Sequence, residues 1–304
     1  MSSYDVLVLG EVNVDLILQG NVEPEWNQVE KLIGDAALTL GGSSTIFACG
    51  AARLGLKVGM VSVLGDDMFG RFCIEQLQQH GVDTSGIIID PNMRTGITVH
   101  LQKPDDRAML TYLGTISELQ VDRIDPALLT DTRHIHVGSY FMQTKLQAGL
   151  IELFDKVRAA GVTTSVDPGW DPAAQWEPLI KLLPHMDIFI PNEGEACELQ
   201  QTKDWRQALT QLAAKVPTVA LKRGAEGAAA AQGDTIVEAT PPKAPYVDAV
   251  GAGDSFSAGF VYAMLAGWPL ERCVRMGVVC GTCSTRAAGG TAAQATLEEA
   301  LSML

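Results

Sequence analysis

Apolar, strand-like runs alternate with helical runs along most of this chain, and that alternation fixes the fold class before any motif is weighed. Strands joined through crossover helices run parallel, and the helices then cover both faces of the sheet. Tyr4 to Leu9 reads as a buried strand, Ser43 to Leu54 as a helix, Lys57 to Leu64 as the next strand, and Phe69 to His80 as a helix ended by Gly81. Later strands are expected at His134 to Val137, Thr163 to Asp167, Ile188 to Ile190 and Thr218 to Lys222. Helices are expected at Gln147 to Ala160, Glu193 to Gln200 and Trp205 to Ala214, with the C-terminal part mostly helix. The expected fold is α/β, a doubly wound, mostly parallel central sheet with helices on both faces.

Two segments break the alternation, at about 12–40 and 95–113. In the second, Gly96 to Leu101 and Ala108 to Leu113 flank a turn at Pro104-Asp105-Asp106-Arg107, which reads as a hairpin. Strands that leave the main sheet twice suggest a small β lid over the strand ends, where α/β sheets place ligands. Apolar faces on such a lid also offer a surface through which two chains can form a homodimer. No repeat, linker or low-complexity stretch divides the 304 residues, so residues 1–304 are expected to form one α/β domain with a lid.

The balance of 22 Lys and Arg against 36 Asp and Glu gives a net charge of −14, which argues against a nucleic-acid partner. Any bound phosphate must be managed locally. Met1 to Asp5 lacks a basic region and the apolar stretch after it is short and acidic, so neither a signal peptide nor a membrane span is expected and the protein is placed in the cytoplasm. The six cysteines lie in apolar patterns; Cys280-Gly-Thr-Cys283 has no second pair to complete a metal site and reads as helix packing. His134 and His136 alternate on a strand-like run with no ligand set around them.

The run Asp248 to Phe256 carries the chemistry. Phe256, Phe260, Val261, Met264 and Leu265 recur at helical spacing, so Gly251, Ala252 and Gly253 form a helix entry whose N–H groups lack intrahelical partners. A helix start carries about half a positive charge, worth about 0.3–1 kcal/mol to an anion, and glycines let the backbone curl around it. A phosphate meets both conditions, and Asp254 then stands where it can accept a proton from an attacking hydroxyl. The competing reading is a Gly-Ala-Gly turn that packs a helix against a strand, with Asp254 as its cap.

Other motifs fall in order along the chain: Gly10-Glu11-Val12-Asn13-Val14-Asp15, Gly41-Gly42, Leu64-Gly65-Asp66-Asp67-Met68-Phe69-Gly70, Gly81-Val82-Asp83, Pro191-Asn192-Glu193-Gly194-Glu195, Lys222-Arg223-Gly224-Ala225-Glu226-Gly227, and the Asp248 run. With this set the chain resembles the ribokinase family of carbohydrate kinases, the PfkB type, along essentially its whole length. The resemblance implies a ribokinase-like fold and ATP-dependent phosphorylation of a primary hydroxyl on a small sugar or sugar-like acceptor. It implies Asp254 as catalytic base and the N–H groups of Gly251, Ala252 and Gly253 as the anion hole for the γ-phosphate. Asn192 and Glu195 match its Asn-x-x-Glu motif, which helps hold hydrated Mg²⁺; read alone, Glu195 is equally a first-turn helix acid. Lys222, Gly224 and Gly227 match its nucleotide-side loop. Asp248 and the Val250 carbonyl match positions that bind a monovalent cation, usually K⁺, although Ala249 replaces the usual threonine.

On the acceptor side, Asn13 and Asp15 lie two apart on an extended segment and can point the same way; read alone, Asn-x-Asp is turn chemistry, and the resemblance implies instead that they bind sugar hydroxyls, with Gly41 and Gly42 allowing close approach. Ile46 stands where the family carries asparagine and Ser43 where ribokinases often carry lysine, so ribose is disfavoured. Arg94 and Arg107, at the edges of the expected hairpin, suit the carboxylate of a 2-keto-3-deoxy sugar acid, and the bland reading is solvated lid charge. Trp170, in Asp167-Pro168-Gly169-Trp170-Asp171-Pro172, either lines the sugar cleft or packs a domain edge. A nucleoside kinase, which needs an aromatic platform, and a non-catalytic sugar or nucleotide sensor remain the alternatives.

Overall fold

The computed structural model describes residues 2–103, 106–170, 173 and 175–304. Its main sheet has eight strands in the order Thr235–Ala239, Ala228–Gln232, Thr218–Lys222, Ile188–Phe189, Thr163–Val166, Thr132–Val137, Tyr4–Leu9 and Val58–Val61. From Thr218–Lys222 to Val58–Val61 every pairing is parallel, and the first two strands join antiparallel. Successive residues of one strand enter opposite cores, as the two-residue period of a strand demands. Val6 and Val8 pack with Phe47, Phe260 and Val279 on one face, whereas Leu7 and Leu9 pack with Phe154, Leu182 and Leu209 on the other. Ala228 and Ala230 divide from Ala229 and Ala231 in the same way. The apolar strands and their covering helices thus give the α/β layering expected from the sequence.

A second sheet of four strands, Asp35–Gly41, Asn13–Gln19, Gly96–Gln102 and Arg107–Tyr112, is built from the two segments that break the alternation. Gly96–Gln102 and Arg107–Tyr112 form the expected antiparallel pair; Pro104 and Asp105 of the turn between them lie outside the described residues. Gly96–Gln102 also runs parallel to Asn13–Gln19 at the centre of this sheet. One face of the sheet carries Asn13, Asp15, Thr98, His100, Arg107 and Met109. The opposite face carries Val14, Leu16, Leu38, Val99, Leu110 and Tyr112, of which Leu110 is 60% and Tyr112 54% exposed.

Three differences from the expected elements have local causes. Lys57 to Leu64 is two strands, since Val58–Val61 pairs with Tyr4–Leu9 and, beyond Ser62, Val63–Gly65 pairs with Ile88–Asp90. Gln147 to Ala160 is broken at Gly149, leaving Thr144–Gln147 and Leu150–Ala159. The hairpin Ala228–Gln232 with Thr235–Ala239 extends the sheet where no strand was expected. Among the described residues no helix is long and apolar enough to cross a membrane.

Candidate active site

The C-terminal ends of the parallel strands and one face of the second sheet enclose a cleft of about 370 Å³. Its floor on the main-domain side is the entry to helix Ala252–Leu265. Gly251 adopts φ 71°, and a Cβ there would lie 2.6 Å from Gly290 Cα and 2.9 Å from Ile46 Cγ2, so the turn accepts only glycine. The Ala252 N–H donates to the Ala249 carbonyl at 3.2 Å. Among the described residues the Gly251, Gly253 and Asp254 N–H groups have no partner, which leaves those three as the open donors of the helix start.

Asp254 follows in the first turn and lines the cleft together with Asn13, Asp15 and Arg107. Burial pushes its carboxyl up to about 7; Asp167 and Glu11 act in the same direction, while Lys222 and the Ser43 hydroxyl oppose them. A pKa near neutrality suits a group that must take a proton and later release it. Asp254 therefore shares one cavity with four of the predicted sugar-binding residues, Asn13, Asp15, Gly42 and Arg107, although they are far apart in sequence.

The Asn13–Asp15 pair is shaped by the glycines opposite. Asn13 Nδ2 donates to Asp15 Oδ1 at 3.0 Å, and a Cβ on Gly41 would fall 2.0 Å from that same oxygen. Gly42, at φ 92°, would place a Cβ 2.9 Å from Asn13 Oδ1. Both glycines are thus required by these side chains. His100 Nε2 lies 3.2 Å from Asp15 Oδ2 without hydrogen-bond alignment. Ile46, Ile116, Met109 and Met142 supply an apolar wall, and among the described residues no Phe, Tyr or Trp lines the cleft.

A second cavity of about 690 Å³ is lined by Asn192, Glu193, Lys222, Arg223, Gly224 and Trp170. Lys222 connects the two: its ammonium stands 3.5 Å from where a side chain on Gly253 would begin and 2.6 Å from Asp167 Oδ2. Glu195 and Asn192 form a reciprocal cap of helix Glu193–Leu199, with Asn192 N donating to Glu195 Oε2 at 2.8 Å and Glu195 N to Asn192 Oδ1 at 2.9 Å. Burial raises the Glu195 carboxyl to about 7 against the pull of Lys222. Among the described residues no group of three or more His, Cys, Asp or Glu side chains could cage a metal. Magnesium needs no such cage, because it keeps most of its water and takes one or two carboxylates.

The remaining predicted residues fall as follows. Gly224 faces open space, whereas a Cβ on Gly227 would strike the Ala239 carbonyl at 2.0 Å, so the strand Ala228–Gln232 and its neighbour already demand that glycine. Asp248 accepts from Val250 N at 3.1 Å and Gly289 N at 3.2 Å. Arg94 lines a different pocket, with Asp67, Phe69 and Tyr112, and does not meet Asp254. Trp170, 56% exposed, lines the second cavity and stacks edge-on with Trp176 at 5.6 Å instead of facing the first cleft; Asp171 and Pro172 beside it lie outside the described residues.

Sequence reasoning missed Glu11, His100, Ser139, Asp167 and Ser257. Glu11 is buried in the cleft lining, where its carboxylate accepts from Ser44 N at 3.2 Å, Ser44 Oγ at 2.6 Å and Gln143 Nε2 at 3.0 Å; burial raises its pKa. Its place between Gly10 and Asn13 was the available signal.

Comparison with known proteins places this geometry in context. Residues 3–297 match the pfkB family carbohydrate kinase model. An uncharacterized sugar kinase of Archaeoglobus fulgidus is 30% identical over 235 residues, covering 75% of this chain and 91% of that protein. The 5-dehydro-2-deoxygluconokinase of Shouchella clausii is 27% identical over 290 residues, 90% of this chain and 87% of that protein. The solved structure of an E. coli protein described as a ribokinase II, in complex with ATP and Mg²⁺, superposes with a TM-score of 0.87 at 24% identity, over 99% of this chain and 98% of that one.

Proposed function

The chain belongs to the pfkB family of carbohydrate kinases, a phosphotransferase family acting on alcohol groups, and from that premise we propose that it moves the γ-phosphoryl group of ATP to a primary hydroxyl of a small sugar acid held in the 370 Å³ cleft. The observation that carries this reading is the joint presence of Asp254, the Asn13–Asp15 pair and Arg107 in one cavity. Asn13 and Asp15 orient acceptor hydroxyls. Arg107, facing a wall that also holds Glu11, Asp15 and Asp254, offers a fork for a carboxylate, which favours an acidic over a neutral sugar. The lack of an aromatic lining among the described residues disfavours a nucleoside, whose base would need a stacking partner.

In the reaction the acceptor oxygen forms its bond to the γ-phosphorus as the bond from that phosphorus to the bridging oxygen breaks. ADP keeps that electron pair, and the acceptor proton passes to Asp254. The Gly251 and Gly253 N–H groups, with Ala252 holding the turn, are aimed at the oxygens of the moving phosphoryl group, where charge develops. ATP occupies the second cavity along Lys222 and Gly224, with Asn192 beside it, while Gly227 shapes the loop from behind. Glu195 would hold hydrated Mg²⁺, which neutralises phosphate oxygens when bound. Each Asp248 oxygen keeps a second lone pair after its backbone bond, so Asp248 and the Val250 carbonyl retain the hard oxygens that suit K⁺.

The domain spans residues 1–304, and the four-stranded sheet, from about 12–40 and 95–113, acts as a lid that closes over the acceptor and shuts out water. Its apolar outer face, with Leu110 and Tyr112, serves to pair two copies. A cytoplasmic setting supplies the ATP. The test is ADP release across neutral sugars, keto-deoxy sugar acids and nucleosides. Turnover confined to sugar acids supports the reading, turnover on neutral sugars alone removes the Arg107 role, and tight ligand binding without turnover on any acceptor would favour a sensor.

A further inference from the structure

Lys222 is almost buried, with its side chain 14% exposed, and its partner Asp167 is 7% exposed. Such a pair is weak evidence of a stabilising role, because taking both charges out of water costs about what their attraction returns. Its position is the informative part. Lys222 ends strand Thr218–Lys222, its N–H donates to the Pro191 carbonyl at 2.9 Å, and its stem then runs beneath the strand ends to the Gly251–Gly253 turn. Asp167 Oδ2 receives the ammonium at 2.6 Å and also lies 2.9 Å from Ser257 Oγ, which in turn stands 3.0 Å from the Gly253 carbonyl. Two strand ends and the helix start that presents Asp254 are tied through one carboxylate oxygen.

An ammonium beside a helix start places two positive ends together, and they repel unless an anion lies between them. Burial alone would lower the Lys222 pKa, but Asp167, Glu195 and Asp254 outweigh it and raise the pKa, which keeps the ammonium charged. With a net charge of −14, the chain has little general positive field for a polyphosphate, so a local cation must supply it.

We infer that Lys222 is a catalytic residue that contacts the transferring phosphoryl group, and that Asp167 is the positioning residue that aims its ammonium there. The inference rests on the kinase reading above and adds to it a role in turnover in place of simple nucleotide binding. Lys222 stays protonated throughout; the acceptor proton goes to Asp254 and the bridging electron pair to ADP. The ammonium, fixed before the reaction, stabilises charge that spreads over the phosphoryl oxygens as they loosen from ADP.

The test uses Lys222→Ala, Lys222→Arg and Asp167→Asn, each checked for folding by circular dichroism, with ATP affinity measured separately from turnover. Removal of a fixed donor to developing charge typically costs about 100-fold in kcat. Lys222→Ala is expected to lose that much while KM for ATP stays within about threefold, and added ethylammonium is expected to restore part of kcat. Asp167→Asn is expected to lower kcat in the same direction with ATP affinity kept. Lys222→Arg, which keeps the charge and the fold but misplaces it, covers the case in which the alanine variant does not fold, and is expected to lose at least about tenfold in kcat. Unchanged kcat in the folded variants, or a loss confined to KM for ATP, overturns the inference. Asp254→Asn separates the levels: if it remains active the kinase geometry itself fails, and if it is inactive while the Lys222 variants are not, only the Lys222 role fails.

Discussion

Asp254→Asn is expected to make the protein inactive and more stable at once, because the site asks an ionised carboxylate to exist where the fold disfavours it. Burial first, then Asp167 and Glu11, raise the Asp254 pKa from an ordinary 3.8 to about 7. At about 1.4 kcal/mol per unit, a shift of roughly three units has a ceiling of about 4 kcal/mol. Asp254 keeps some solvent access through the cleft, and half of that ceiling, about 2 kcal/mol, is a reasonable expectation. The sign follows from proton binding: between pH 3.8 and 7 the folded chain holds a proton that the unfolded chain has released, so this residue lowers stability progressively as pH rises through that window. Below about pH 4 the cost is absent, and above about pH 7 it is complete. Asparagine never ionises, so the variant should melt higher than the parent at pH 8, by about 3 °C for a gain of about 2 kcal/mol in a chain of 304 residues, with the difference shrinking toward pH 4. Thermal melts at pH 8, 6 and 4 together with initial rates provide the assay. The rate should fall at least about 100-fold, the low end for acid–base groups. A variant that is inactive but less stable at pH 8 would refute the electrostatic reasoning, and one with near-normal rate would refute the base assignment.

Other perturbations probe separate parts of the site. Glu195→Gln keeps the reciprocal cap with Asn192 but removes the charge, so the Mg²⁺ concentration for half-maximal rate should rise at least about tenfold; an unchanged Mg²⁺ titration would remove Glu195 from metal binding. Arg107→Gln should raise KM for an acidic acceptor at least about tenfold and leave KM for ATP unchanged, since loss of a charged hydrogen bond costs about 1.5–3 kcal/mol; equal effects on both would assign Arg107 a structural part. His134 is buried and neutral, with its pKa pushed down to about 3 by burial and by the nearby Arg133 charge, so the unfolded chain takes up a proton near pH 6.5 that the folded chain refuses. Relative to His134→Gln, the parent should therefore lose about 1.5 kcal/mol between pH 6.5 and 5 in urea unfolding, and parallel pH curves would contradict this.

The central sheet was legible because fully buried parallel strands are continuous apolar runs, and Tyr4–Leu9 and Thr218–Lys222 match the expected bounds. The strand Ala228–Gln232 was not legible, since four consecutive alanines carry no strand period and gain their identity only from pairing on both sides. The break at Ser62 was hidden for a related reason: Val58–Val61 and Val63–Gly65 are equally apolar, and only the choice of partner strand separates them. Asn13, Asp15 and Asp254 could be singled out because each lies in a compact motif. Asp167 and Ser257, 90 residues apart, become one unit only when strand end meets helix; the Asp167 to Pro172 run drew notice for Trp170 and not for its first aspartate, and Ser257 stands in no pattern that marks it. Arg94 and Arg107 looked equivalent in sequence, but only Arg107 sits on the strand face that turns toward Asp254.

The most direct test is a crystal structure with a non-hydrolysable ATP analogue and a sugar acid bound together. The account predicts the terminal phosphorus against the Gly251 and Gly253 N–H groups, with the acceptor hydroxyl between it and the Asp254 carboxylate. A terminal phosphate bound away from that helix start, or an acceptor hydroxyl out of reach of Asp254, would contradict it.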